Sequence, residues 1–205
     1  MDLSLPHKLV SIEEVLPKIL ASIEGLDQNL AAEYAMSAAI EFAKATHCMR
    51  KTICIDVLPC ITSYSLDVEP FRLFEVMTVV HDTSGDLCLS NKDLAPSVYI
   101  EGNTLYLNEE PSEQMRGSKL IVEVALVPKR SGSHISEDMY EDWEPAIVAL
   151  ALSNLYLVNA EWGDKGLADR YMQSFSTYLE RARFHNTSKH KPFSMRLMPK
   201  WSTLR

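Results

Sequence analysis

A chain of 205 residues can bury a sizeable core, and 46% hydrophobic against 23% charged residues reads as globular and soluble, which excludes a disordered chain. Its net charge of −8 is unevenly placed: Arg181 to Arg205 carries seven Lys/Arg and no Asp or Glu, so the first 180 residues hold 13 basic against 28 acidic side chains. An acidic body of about −15 therefore continues into a basic, Pro-interrupted tail, and like charge gathered this way orders against an opposite partner.

From the N-terminus, Ser11-Ile12-Glu13-Glu14 fits a capping box, with Val10 and Val15 placed as a hydrophobic staple. Pro17 lies too deep for that first turn, so the helix either kinks there or begins closer to it. Asp2, Lys8, Glu13 and Glu14 leave no apolar run for a signal peptide. After Glu24-Gly25, Asp27 or Asn29 opens a second helix to about Ala45. Leu30, Tyr34, Ala31, Ala35, Ala38 and Phe42 recur in it at helical spacing. Small residues there allow close helix approach, in a bundle core or in a contact between subunits.

The period then changes. Thr52 to Val57, Ser63 to Asp67, Leu73 to His81, Val98 to Ile100, Thr104 to Asn108 and Lys119 to Val127 read as strands, separated by turn signals. Glu101-Gly102-Asn103 predicts a hairpin. Short connections favour antiparallel pairing, hence a compact antiparallel sheet or small sandwich. Helix returns after Ser136 or Asp142. With Asp142 as cap, Pro145 falls in the first turn. Ala146 to Leu152 is apolar on every side, which marks a central core helix or one covered by neighbouring subunits. Asp164 caps a last helix whose stripe is Leu167, Tyr171, Phe175, Tyr178, Leu179 and Ala182.

The expected architecture is α+β: a four-helix bundle-like part, an inserted antiparallel β-sheet or small sandwich, and an extended C-terminal tail. Its segments are N-terminal helices (1–50), a β-rich insertion (51–130), C-terminal helices (131–184) and the tail (185–205). No stretch is long and apolar enough for a membrane span.

Chemistry-bearing motifs are absent from the sequence. Seven scattered glycines form no phosphate loop, and neither a Gly-x-Ser-x-Gly elbow nor a His-Glu-x-x-His helix occurs. His81-Asp82 reads as a solvated strand end. Glu109-Glu110, Glu137-Asp138 and Glu141-Asp142 read as acidic turns and helix starts. Cys48, Cys54, Cys60 and Cys88 lack zinc or redox spacing, although His47 adjoins Cys48, and read as free thiols packed as small hydrophobes. No enzyme activity, cofactor or metal is expected.

In the tail, Lys189, Lys191, Arg196, Lys200 and Arg205 alternate with Phe193, Met198 and Trp201. Spaced cations with aromatics suit a nucleic-acid arm, and a solubilising end is also open. Apolar residues flanked by Arg are what protein interfaces concentrate at their anchors, so docking on a protein partner is the reading taken.

The ordered set Ala35-x-x-Ala38-Ala39-Ile40-Glu41-Phe42 with Thr46, a β-rich middle ending Ala125-Leu126-Val127-Pro128, then Leu150-Ala151-x-x-x-Leu155, Trp162-x-Asp164 and Leu167-Ala168-x-x-Tyr171-x-x-x-Phe175, resembles the head-to-tail connector (adaptor) proteins of tailed bacteriophages. The resemblance is to the kind found in short-tailed phages, akin to the tail tubular protein A group, and covers about Ser11 to Phe184. The resemblance implies a virion protein, made in the host cytoplasm, that forms a ring beneath the portal, a dodecamer in that family. Such a ring extends the DNA channel, passes DNA without sequence-specific binding and carries a downstream tail or nozzle protein. It also implies portal docking by the C-terminal extension. Candidate portal-binding residues are then Lys189, Lys191, Phe193, Arg196, Met198, Lys200, Trp201 and Arg205, and candidate subunit contacts are Ile147, Leu150, Ala35 and Ala38. A tail-completion or stopper protein of another kind fits the same pattern.

Overall fold

The computed structural model describes residues 8–82, 98–111 and 117–189. Among them the chain is mixed α+β, with four helices and three small antiparallel sheets. Strand β1 (Leu9–Ser11) leads into a 3₁₀ turn (Ile12–Val15) and helix α1 (Leu16–Leu20). Helix α2 (Gln28–Thr46) precedes strands β2 (Arg50–Asp56), β3 (Ser63–Ser65), β4 (Arg72–Asp82), β5 (Val98–Glu101), β6 (Thr104–Leu107), β7 (Lys119–Val127) and β8 (His134–Ser136). Helices α3 (Glu137–Tyr156) and α4 (Lys165–Lys189) follow.

Local chemistry accounts for the starts. Ser11 Oγ accepts from the Glu13 N–H at 3.3 Å, and the 3₁₀ turn places Pro17 in the first turn of α1, where its missing N–H is harmless. The Asp27 carboxylate accepts from the N–H groups of Asn29 (2.9 Å) and Leu30 (3.0 Å) at the start of α2. Ser136 caps α3 by accepting from Met139 N–H at 3.3 Å. Asp142 is thus inside α3 and Pro145 within its body, so the cap lies six residues earlier than the Pro145 signal suggests. Asp164 caps α4 through Leu167 N–H at 3.0 Å.

The six expected strands are present and sort into two three-stranded antiparallel sheets, ordered β2-β7-β4 and β3-β6-β5. The third pairing, β1 with β8, was not read from sequence: three residues on each side carry too little alternation. It matters mechanically, since Glu137 N–H donates to Lys8 O at 2.8 Å, tying the N-terminal strand to the first turn of α3. Lys8 and Glu137 also form an ion pair, as do Lys18 and Glu144.

The core runs from these helices into the sheets. Phe42 of α2 is fully buried and touches Trp143 of α3 (centroids 5.7 Å apart) and Phe175 of α4 (6.3 Å). Tyr156 stacks on Tyr171 at 5.7 Å, and its hydroxyl donates to Ser22 O at 2.8 Å, closing α1 onto the far end of α3. Buried Ser153 donates to Ala168 O at 3.0 Å between α3 and α4. The apolar stretch Ala146 to Leu152 is covered within the single chain, all but half-buried Val148 lying in the core. Consequently Ala35, Ala38 and Ile147, each at 0% exposure, and Leu150, at 1%, are core residues. The expectation of subunit contacts at these four is corrected, because reaching a neighbour would require opening α2 and α3.

Among the described residues, no helix is long and apolar enough to cross a membrane.

Candidate docking site at the end of the last helix

A helix ends with carbonyls that have no partner within the helix, and a buried end must find them elsewhere. At the end of α2 several of these carbonyls are met. The His47 N–H donates to Ala43 O at 2.8 Å, and Thr46 Oγ1 donates to Phe42 O at 2.8 Å. From α4, Arg183 Nε donates to Ala45 O at 3.2 Å and Asn186 Nδ2 to Thr46 O at 2.9 Å. Arg50 Nε closes the set on His47 O at 3.1 Å. Asn186 is 6% exposed and Thr46 4%, so their bond is shielded from water, whereas the Arg183 bond lies at the surface.

The clamp fixes the root of the basic tail. Helix α4 runs five residues beyond Phe184, so His185 and Asn186 belong to the helical body and not to an extended tail. Trp143 meets the His185 ring edge-on at 5.9 Å, and Ala168, Phe175, Ala182 and Asn186 form the buried line of the helix. Phe184, two residues from both Ala182 and Asn186 and so on the opposite face, is 79% exposed. A single exposed apolar side chain is ordinary on a protein surface, and what sets Phe184 apart is its place where the cationic segment begins. Sequence reading missed it by treating Phe184 only as a boundary. Arg183 and Asn186 were also missed, since nothing local tells a capping Asn on another helix from a solvated one.

Of the residues expected to dock, Lys189 is the last residue of α4. Lys191, Phe193, Arg196, Met198, Lys200, Trp201 and Arg205 lie outside the described residues.

Against the clamp lies a cleft of about 240 Å³, with Cys48, Arg50, Asp138, Asp142, Trp143 and His185 in its wall. Burial pushes the Cys48 thiol up to about 11. It is a poor nucleophile in that state, because the thiolate is the reactive form. His47, in the left-handed conformation at φ 50°, turns to Glu75 (3.2 Å) and Phe74 (5.8 Å between ring centres). Among the described residues no three His, Cys, Asp or Glu side chains gather as a metal site. Cys54 and Cys60 are exposed, which corrects the expectation that the thiols pack as small hydrophobes; Cys88 lies outside the described residues.

Neither a protein-family model nor a curated protein matches this sequence.

Proposed function

We propose that this chain is a non-enzymatic head-to-tail adaptor of a tailed bacteriophage, acting by geometry. In this reading its helices form one bundle-like body, copies assemble as a ring beneath the portal, and the segment after Lys189 extends to dock on the portal protein. The supporting observation is the fixed root of the tail. The Arg183 and Asn186 clamp holds the start of a segment rich in cations and aromatics beside exposed Phe184. A docking arm gains affinity when its base is preorganised, because less freedom is lost on binding.

The acidic body suits a channel that passes DNA, since like charge keeps phosphates from being gripped. In this role Phe193, Met198 and Trp201 anchor the arm, while Lys189, Lys191, Arg196, Lys200 and Arg205 pair with acidic portal groups. A tail-completion or stopper protein would use the same parts.

The test is electron microscopy of this chain with the portal from the same source, comparing the full chain with one ending at Lys189. Ending it at Phe184 would remove the clamp and confuse docking with folding. A ring added to the portal by the full chain alone supports the reading. Equal binding by both chains removes the tail's role, and no complex with either removes the adaptor. The alternative, a nucleic-acid-binding module, draws on the same cations and predicts duplex affinity that falls steeply with salt.

A further inference from the structure

The body is acidic, yet one cleft in it is lined by cations from three separate elements. On α2, Ser37, Ile40, Glu41 and Lys44 recur three and four residues apart, on the side turned away from Phe42. With Arg72 of β4 and Arg130 in the connection after β7 they border a space of about 370 Å³. Lys44, Arg72 and Arg130 thus stand against a single carboxylate in the cleft wall, Glu41. Arg130 also reaches Glu33 at 3.6 Å, but both side chains are mostly exposed and water screens the pair. Lys44 lies 6.0 Å from the centre of the Phe74 ring, which holds its ammonium at the cleft without neutralising it.

The complementary surface is on the same chain. The start of α3 carries Glu137, Asp138, Glu141, Asp142 and Glu144, five carboxylates in eight residues. Lys8 and Lys18 pair with Glu137 and Glu144, at the two ends of this run. Asp138, Glu141 and Asp142 are exposed. At about 100° per residue Asp138 and Glu141 lie on the side of α3 away from Trp143, the residue that meets Phe42, while Asp142 lies to its flank and, with Asp138, borders the Cys48 cleft. Basic cleft and acidic helix start therefore lie on separate exposed faces, one on α2 and the other on α3. Surfaces so placed cannot satisfy each other within one molecule, and they match between molecules.

We propose that the Lys44–Arg72–Arg130 cleft receives the acidic start of α3 of a second copy, so that the chain associates with itself head to tail. Such a contact is heterologous: each copy uses one surface as donor and the other as receiver, and repetition closes a ring when the rotation permits. It deepens the adaptor reading, on which the closure into a ring rests, by naming the subunit contact that the buried Ala35, Ala38, Ile147 and Leu150 do not supply.

The test needs no portal, so its failure and that of portal docking are separate. Sedimentation velocity of the full chain should show self-association at about 50 mM salt that weakens at least roughly tenfold by about 500 mM. Arg72→Glu with Arg130→Glu, and separately Glu141→Lys with Asp142→Lys, should each abolish it. An equimolar mixture of the two double variants should restore it, because each reversed surface then meets its complement, and that recovery also shows both variants are folded. A full chain that stays monomeric at low salt overturns the proposal, as does association that survives either reversal. Binding of a labelled DNA duplex that is lost with Arg72→Glu and Arg130→Glu, without self-association, overturns it in favour of a phosphate site.

Discussion

Replacing Asn186 with Ala tests whether α4 is part of the body up to its end. The substitution removes the amide that donates to Thr46 O at 2.9 Å and leaves that carbonyl buried with its partner gone. An orphaned buried acceptor costs about 1–3 kcal/mol. Against this, Ala favours helix over Asn by roughly 0.6 kcal/mol. The net loss is therefore about 1–2 kcal/mol, and for a chain of this size the melting temperature should fall by roughly 2–8 °C. Urea titration should show a lower midpoint with the slope unchanged, because the surface exposed on unfolding is the same. Amide hydrogen exchange adds the local readout: the last two turns of α4 should lose protection before the centre of α3 does. An unchanged midpoint together with unchanged exchange would refute the clamp.

Phe42→Ala empties the fully buried meeting point of α2, α3 and α4, and should cost about 3–5 kcal/mol by urea unfolding. Asp27→Ala removes the acceptor for two N–H groups and should cost about 1 kcal/mol, seen as a lower urea midpoint. Burial raises the Cys48 thiol above its ordinary value, so the unfolded chain releases this proton first. Its contribution to stability is full below pH 9.0 and is lost as the pH rises toward 11, and Cys48→Ala should flatten that part of the pH profile. With a neutral-pH thiol reagent, exposed Cys54 and Cys60 should react well before Cys48.

Ser11 and Asp164 could be read as caps, and Asp27 as one of two candidates with Asn29, because a cap is a bond between a side chain and the backbone two or three residues on, written in local sequence. The strands were legible for the same reason, with Lys119 to Val127 found as expected. The cap of α3 was ambiguous because Pro145 suits a first turn yet is tolerated in the helix body once packing on both sides holds it. Periodicity says which face of a helix is apolar and never what covers it. Thus the sequence alone marked Ile147 and Leu150 as residues to be buried, and tertiary structure decided that their own chain does so. Division of the strands among three sheets, pairing of Leu9–Ser11 with His134–Ser136, and the bond from Asn186 to Thr46 across 140 positions join residues far apart in the chain. Each was set by which surfaces meet once the core closes. The charge asymmetry, in contrast, was readable from composition alone, and folding decided only where each charge faces.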